Sequence, residues 1–397
     1  MLSKEELLKI NDENIINTYG KRSLILVKGK ASCVWDIDGN KYLDFLTGIS
    51  VNNVGHCHPK IVKTIKKQAE TLIHCSNLYY IEPQIMLAEK LCSLSFADKA
   101  FFANSGAEVN EAAIKLARRY SSKKTDGKRY EIITMKNSFH GRTLAAITAT
   151  GQEVYHKGFE PMVPGFVYAE YNDLHSVKEL INDKTCAIMV EPVQGEGGVV
   201  PATKEFLEGV RAICDQKGLL LIFDEVQCGL GRCGEMFAYQ RYGVAPDIMT
   251  LAKSLGGGLP IGAMLCTNDA SFGFDQGSHA ATFGGNPLVC AAANTMLDIL
   301  VEEKLPENAK NMGEYIKAQL KKKLKGLDFV KEIRGLGLMV GIVLDKPGAD
   351  YVKAAQEKGL LLGSTKNNVV RMLPPLNIKK KDADTAIKII IEVLKNT

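Results

Sequence analysis

Apolar runs rich in β-branched residues recur through the first two thirds of the chain, and amphipathic helical patterns separate them. Because almost every position in these runs is apolar, they are typical of strands that are buried on both faces of a sheet. The predicted strands are residues 131–135, 166–169, 187–190, 219–223, 248–251 and 263–266. The predicted helices that precede or separate them include residues 107–120, 204–217 and 235–242. This alternation predicts an α/β fold with a mostly parallel central sheet.

The pattern changes after residue 286. Two long helical patterns are followed by short strand-like runs and by a last helical pattern from Lys380. Such a tail predicts a smaller α+β domain, and a predicted hairpin within residues 31–43 is expected to join it. The predicted division is an N-terminal segment that joins the small domain, a large domain that binds the ligand, and a C-terminal small domain: residues 1–50, 51–286 and 287–397.

Composition and charge narrow the range of functions. A chain of 397 residues is long enough for two domains, and 46% hydrophobic and 24% charged residues are ordinary values for a soluble globular protein. A formal net charge of +5, with no long block of like charges, argues against nucleic-acid binding. No apolar stretch approaches the roughly 20 residues of a membrane span, and the N-terminus does not resemble a signal peptide.

The ten cysteines show no C-x-x-C spacing, so we expect them to be reduced in the cytoplasm. His56, Cys57 and His58 form one cluster, and His74 with Cys75 forms another. Their ligands are adjacent rather than at the spacing of a zinc site, and no second cluster completes either of them. We therefore predict no bound metal.

Two predicted strands end in residues that together indicate a cofactor. Asp224 ends one of them, and Lys253 comes shortly after another. Two residues after Lys253, three glycines follow at positions 256–258. A lysine amine can bond to the aldehyde of pyridoxal phosphate (PLP) while an acid pairs with the ring nitrogen of the cofactor. Alone, the lysine is more commonly a solvated residue and the aspartate a helix cap. Their pairing at strand ends favours PLP chemistry.

Three further segments carry groups that suit such a ligand. Ser105 and Glu108 form a predicted capping box, and the free amides of that helix start suit a phosphate. The loop at residues 137–142 holds an aromatic ring for stacking and an arginine for a carboxylate. The loop at residues 191–198 carries two glutamates. Each segment alone fits a plain structural role, but ligands collect at the carboxyl ends of parallel strands, where these segments are expected to meet.

A glycine motif at residues 229–234 points elsewhere. It matches G-x-G-x-x-G, the pattern of a dinucleotide-binding loop, and would favour a nicotinamide-dependent dehydrogenase. The glycines of such a loop directly follow the strand, whereas residues 224–228 intervene here. We therefore interpret the motif as an ordinary glycine loop.

Seven segments, in order along nearly the whole chain, closely resemble the class III, PLP-dependent aminotransferases of fold type I. They are GISVNNVGHCHP (48–59), SNLYYIEP (76–83), NSGAEVNE (104–111), SFHGR (138–142), DEVQ (224–227), TFGGNP (282–287) and RMLPP (371–375). The resemblance implies a large domain with a mostly parallel sheet and a smaller α+β domain. It also implies a homodimer that binds small molecules.

The resemblance implies a role for each site residue. Lys253 would hold PLP and move the substrate proton, and Asp224 would pair with the ring nitrogen. The remaining implied cofactor contacts are Gly106, Ala107, Phe139, Glu225, Val226, Gln227 and, from the partner subunit, Thr282. The implied substrate contacts are Arg142, Ala281 and a separable pair formed by Glu196 and Arg371. The family usually has serine where Ala281 stands, so a hydroxyl contact is missing here.

The implied reaction moves the δ-amine of N-acetylornithine to 2-oxoglutarate, in a ping-pong cycle of arginine biosynthesis. Ornithine, succinylornithine and 4-aminobutyrate aminotransferases share nearly every motif, because the choice of substrate rests on a few pocket contacts. A PLP-dependent decarboxylase or mutase is a further alternative on the same scaffold. A dehydrogenase would leave Lys253 and Asp224 without a role.

Overall fold

The computed structural model describes residues 2–396, which form four β-sheets and the helices around them. The strands are β1 (Leu26–Lys30), β2 (Cys33–Asp36), β3 (Lys41–Asp44), β4 (Lys99–Ala103), β5 (Glu131–Met135), β6 (Phe166–Ala169), β7 (Thr185–Val190), β8 (Val193–Gln194), β9 (Val200–Pro201), β10 (Leu220–Asp224), β11 (Ile248–Leu251), β12 (Gly262–Cys266), β13 (Val330–Leu336), β14 (Met339–Leu344), β15 (Leu360–Leu361), β16 (Gly363–Thr365) and β17 (Val369–Met372).

The α-helices are α1 (Lys4–Asn14), α2 (the single turn Thr47–Ser50), α3 (Pro59–Thr71), α4 (Glu82–Leu94), α5 (Gly106–Thr125), α6 (Leu144–Ala149), α7 (Leu174–Leu180), α8 (Lys204–Lys217), α9 (Ala238–Tyr242), α10 (Asn268–Ser271), α11 (Pro287–Glu302), α12 (Leu305–Lys323), α13 (Ala349–Glu357) and α14 (Lys380–Asn396). Single 3₁₀ turns occur at Glu153–Tyr155 and Lys253–Gly256. No helix within residues 2–396 is long and apolar enough to cross a membrane.

A seven-stranded sheet in the order β4-β12-β11-β10-β7-β5-β6 confirms the predicted fold class. The pairs β10–β11, β7–β10, β5–β7 and β5–β6 are parallel, whereas β12 runs antiparallel to both of its neighbours. The central strands are buried along their whole length, as their continuous apolar runs predict. Their carboxyl ends therefore open on one edge of the sheet.

Two four-stranded sheets lie outside the central sheet, and the first of them joins the start of the chain to its end. In the first, β3 pairs with β2 and also, in parallel, with β15, so that Leu43 lies opposite Leu360. The second is antiparallel and has the order β13-β14-β17-β16. Arg371 lies on β17 within this sheet, opposite Gly341 of β14. The domain limits at residues 50 and 286 stay a prediction.

One predicted helix is wrong in its extent. The pattern at residues 235–242 predicts eight helical residues, but α9 begins only at Ala238. The buried Glu225 carboxylate explains this start, because it accepts hydrogen bonds from the amides of Ala238 and Tyr239. A carboxylate that binds the first amides of a helix fixes its N-terminus.

Candidate active site

The carboxyl edge of the central sheet surrounds a cavity of about 280 Å³. The loops that follow β5, β7, β10 and β11 line it together with the start of α5. The predicted site residues that line the cavity are Gly106, Ala107, Phe139, Arg142, Glu196, Asp224, Val226, Gln227 and Lys253. The expected convergence of strand-end motifs on one place is therefore present.

Lys253 follows β11 at the first position of a tight 3₁₀ turn, with a left-handed backbone (φ +45°). A left-handed conformation is costly for a residue with a side chain, and such residues cluster at functional sites. Burial lowers the pKa of Lys253, while Glu196 and Asp224 oppose this shift. A lowered pKa leaves more of the amine neutral, and the neutral amine is the nucleophile.

Asp224 is almost fully buried, and three neighbours fix its carboxylate. Oδ2 accepts from Nδ2 of Asn110 at 2.8 Å and lies 2.8 Å from Nδ1 of His140. Oδ1 accepts from the amide of Val226 at 3.0 Å. Thr250 in turn donates to Oδ1 of Asn110 at 2.7 Å. These bonds hold the acid in one orientation at the end of β10.

Asn110 and His140 were missed as site residues by the sequence reasoning. Asn110 lies on the apolar face of α5 between Val109 and Ala112, where a buried amide needs hydrogen-bond partners. His140 is buried, and its Nε2 has no hydrogen-bond partner. A polar residue within an apolar helical stripe was the signal that could have found Asn110.

The start of α5 offers free backbone amides at one end of the cavity. Gly106 and Ala107 occupy its first positions, and Oγ of Ser105 accepts from the amide of Glu108 at 3.2 Å. Only the serine half of the predicted capping box forms. The Glu108 carboxylate accepts from the amide of Asn104 and not from that of Ser105, so the second half is absent. Amides at the start of a 20-residue helix suit an anion such as a phosphate.

A Gly106→Ala variant is expected to weaken PLP binding by about 1–3 kcal/mol, as overpacking commonly does. A Cβ at this position would lie 2.8 Å from Cγ1 of Val226, so the helix start would have to move away from the phosphate. Val226→Ala removes the clashing methyl groups, and the double variant should recover most of the affinity. Fluorescence titration with PLP measures all three variants. Equal affinities in wild type and Gly106→Ala would contradict the predicted phosphate site.

Phe139 and Arg142 lie on the loop after β5. The amide of Phe139 donates to the buried Glu191 carboxylate at 3.1 Å, and its ring meets Tyr155 edge-on at a centroid distance of 5.8 Å. The Arg142 guanidinium lies 4.0 Å from the centroid of the Tyr155 ring. Arg142 is exposed and forms no salt bridge with any residue that the structure describes. It can therefore bind the carboxylate of a ligand.

Glu196 and Arg371 form the predicted pair. Nη1 of Arg371 lies 2.5 Å from Oε1 of Glu196 and donates to Oε1 of Gln227 at 3.1 Å. Burial alone would raise the pKa of Glu196, but Arg371 and Lys253 bring it below its usual value. Arg371 is 2% exposed, and its buried Nε has no hydrogen-bond partner. An unused donor beside a pairing carboxylate is suited to a second carboxylate from a ligand.

Four predicted site residues do not line this cavity: Arg371, which adjoins it through its bond to Glu196, and Glu225, Ala281 and Thr282. Ala281 and Thr282 belong to a partly exposed loop that lines a separate, larger cavity of about 800 Å³. The Glu225 side chain turns to the start of α9, and burial raises its pKa to about 8. Only the backbone of Glu225 remains for the predicted contact with the cofactor. Among the residues described, no group of three or more His, Cys, Asp or Glu side chains is arranged to hold a metal ion.

Residues 16–394 match the model of the family Aminotransferase class-III. The chain is 52% identical over 392 residues to the acetylornithine aminotransferase of Methanocaldococcus jannaschii, covering 99% of this chain and 98% of that protein. It is 54% identical over 381 residues to the acetylornithine aminotransferase of Caldanaerobacter subterraneus, covering 96% of this chain and 97% of that protein. The chain therefore belongs to the class-III aminotransferases, a family of fold type I enzymes that use PLP.

Solved structures agree with this assignment. The ornithine aminotransferase of Toxoplasma gondii is 33% identical with a TM-score of 0.96, covering 100% of this chain and 96% of that chain. The acetylornithine aminotransferase of Elizabethkingia anophelis is 32% identical with a TM-score of 0.89, and each chain is covered completely. The protein is a PLP-dependent transaminase, so the alternative of a nicotinamide-dependent dehydrogenase is wrong.

The residues present fit PLP. The helix start at Gly106 suits the phosphate, and the fixed carboxylate of Asp224 suits a protonated ring nitrogen. Lys253 supplies the amine, and Phe139 supplies an aromatic ring in the same cavity. Gln227 is predicted to contact the cofactor, but its side chain forms hydrogen bonds with Glu196 and Arg371. It therefore links the cofactor cleft to the Glu196–Arg371 pair.

Proposed function

We propose that the protein transfers the δ-amine of N2-acetyl-L-ornithine to 2-oxoglutarate, giving N-acetyl-L-glutamate 5-semialdehyde and L-glutamate. The observation that carries this proposal is the Glu196–Arg371 pair, because its glutamate lines the same cleft as Lys253. The names of the relatives from M. jannaschii and C. subterraneus support the choice of amine donor. The reaction is a step of arginine biosynthesis.

PLP, when bound, supplies an aldehyde that exchanges amines and a ring that accepts electrons. Lys253 is proposed to anchor the cofactor and then, as the free amine, to take the proton from the substrate carbon. Asp224, held by Asn110 and His140, keeps a proton on the ring nitrogen by charge pairing. Lys253 is thus proposed to hold the cofactor and move the proton, while Asp224 is proposed to supply a fixed negative charge.

The two substrates of this reaction place different demands on one site. N-acetylornithine reacts at its δ-amine, far from its carboxylate, whereas glutamate reacts at the carbon that carries its α-carboxylate. A single arginine that always bound a carboxylate next to Lys253 would favour glutamate. Because Glu196 can mask Arg371 or release it, the site can serve both substrates in turn. Arg142 is proposed to bind the distal carboxylate.

We further propose that the enzyme is a homodimer in which Thr282 of one protomer completes the phosphate site of the other. Thr282 is exposed and lies outside the cavity that contains Lys253. Leu78 is 85% exposed and Tyr80 is 98% exposed, close in sequence to residues that line the cavity beside Thr282. Large exposed apolar side chains beside a cavity are typical of a subunit interface.

All ten cysteines are free, which suits the cytoplasm.

A single-turnover comparison of amine donors tests the proposed substrate. The PLP-loaded enzyme is mixed with N-acetylornithine, ornithine, succinylornithine or 4-aminobutyrate without a keto acid, and loss of the visible absorbance is followed. We expect N-acetylornithine to react with the highest ratio of rate to dissociation constant, by about tenfold or more, since pocket contacts discriminate on this scale. Faster reaction with another amine would identify that amine as the donor instead.

A further inference from the structure

Arg232 lies within the glycine motif at residues 229–234, and its guanidinium is completely buried. Nε donates to Oγ of Ser50 at 2.9 Å, and Nη1 donates to the carbonyl oxygens of Leu338 at 2.9 Å and Pro374 at 2.6 Å. Nη2 donates to Oδ1 of Asn53. All of these acceptors are neutral, and Arg232 forms no salt bridge with any described residue.

A buried guanidinium without a carboxylate is costly. Removing a charge from water costs several kcal/mol, and here only neutral oxygens compensate. The cost is evident in Arg232 itself, because burial lowers its pKa to about 9. A fold that only needed to fill this space would be at least as stable with an apolar side chain. The positions of the four acceptors of Arg232 therefore indicate the role of its buried charge.

These acceptors belong to segments that are distant in sequence but border the carboxylate site. Pro374 follows the end of β17, three residues after Arg371. Ser50 lies 3.4 Å from the carbonyl oxygen of Gln227, whose side chain accepts a hydrogen bond from Arg371. Arg232 thus bonds both the segment that directly follows the strand of Arg371 and the segment whose Ser50 contacts the backbone of Gln227.

The glycines of the motif allow this close packing. Gly231 has a φ of +86°, and a Cβ there would lie 2.7 Å from Cδ1 of Leu376, two residues beyond Pro374. Gly337, next to Leu338, has a φ of +51° and would place a Cβ 2.4 Å from the carbonyl oxygen of Arg232. The motif that resembles a nucleotide-binding loop is therefore a contact surface for the C-terminal part of the chain.

We propose that Arg232 is a positioning residue for the α-carboxylate site: it fixes Arg371 and Gln227 relative to each other, so that Arg371 can exchange Glu196 for a substrate carboxylate. This inference rests on the proposed function, in which Arg371 binds the α-carboxylate of glutamate and 2-oxoglutarate. Arg232 does not line the cavity and does not contact Arg371 or Gln227 directly, so it acts only through the segments that carry those two residues.

The test compares Arg232→Lys and Ser50→Ala with Arg211→Lys in the PLP-loaded enzyme. Arg232→Lys keeps the charge but cannot reach all acceptors, while Ser50→Ala removes one acceptor and leaves Arg232 in place. Arg211→Lys is the control, because Arg211 is also largely buried but pairs with Asp215 and with Asp247, which accepts from the amide of Leu221 near the start of β10, away from Asp224 at its end. Calorimetric titration with glutarate, a dicarboxylate without an amine, measures the site independently of activity.

We expect Arg232→Lys to raise the dissociation constant of glutarate about tenfold and Ser50→Ala about threefold, as lost alignment of a charged hydrogen bond does. The single-turnover reaction with the amine donor should change less than twofold in both, and Arg211→Lys should change neither quantity. Equal losses in both measurements, or an unchanged glutarate constant in Ser50→Ala and Arg232→Lys, would overturn the inference. Failure of the wild type to bind glutarate would instead contradict the proposed function.

Discussion

A Lys253→Ala variant is expected to lose about 10⁴-fold or more in kcat, the upper range for removal of a proton-transferring group. The variant should also lose the visible absorbance that arises when the cofactor is bonded to the lysine. Both effects have one cause in the proposed mechanism, in which the same amine anchors PLP and moves the substrate proton. Steady-state rates and a visible spectrum of the purified variant, after incubation with PLP, measure them.

The control for this variant is Lys60→Ala. Lys60 lies at the surface and pairs with Glu302, far in sequence from the cavity, so its removal should leave the rate and the spectrum unchanged. Circular dichroism should show the same fold in both variants. A Lys253→Ala protein with a wild-type rate would defeat the proposed mechanism, whatever its spectrum.

The fold and the central chemistry of the site could be predicted because they depend on local pattern. Continuous apolar runs indicate buried parallel strands, and chemistry at the carboxyl ends of such strands meets by geometry. Asp224 and Lys253 end or follow neighbouring strands, so their proximity follows from the order of the sheet. The resemblance to the family added the roles of residues such as Arg371, which lies in a different sheet.

The rest depends on contacts between segments that are far apart in the chain. His140 and Asn110 could not be assigned to Asp224 before the packing of α5 on the sheet was known. The Glu225 carboxylate binds the start of α9 rather than the cavity, although its neighbours in sequence face the cavity. Arg232 looks like a variable position in a glycine motif until its four acceptors are seen. Local pattern holds no information on such long-range hydrogen bonds.

The proposed exchange of Glu196 for a substrate carboxylate at Arg371 predicts opposite results for two variants. Arg371→Met should lower kcat/KM for 2-oxoglutarate by about 10²–10³-fold, since losing a buried charged hydrogen bond costs roughly 3–4 kcal/mol. Its reaction with the amine donor should fall much less, because in the proposed mechanism that substrate does not bind Arg371. Single-turnover measurements of each half of the cycle separate the two effects.

Glu196→Gln should have the reverse effect on glutamate. The amide can still accept a hydrogen bond from Arg371, but it no longer neutralises the guanidinium, whose charge then attracts the α-carboxylate permanently. Glutamate should therefore react about tenfold more efficiently as an amine donor, which corresponds to one charged hydrogen bond of roughly 1.5 kcal/mol. The Asp345→Asn variant, which breaks a surface pair with Lys331, is the control and should change nothing. If Glu196→Gln impaired glutamate and the amine donor alike, Glu196 would be a plain structural partner of Arg371, and selection between the two substrates would have to lie with Arg142.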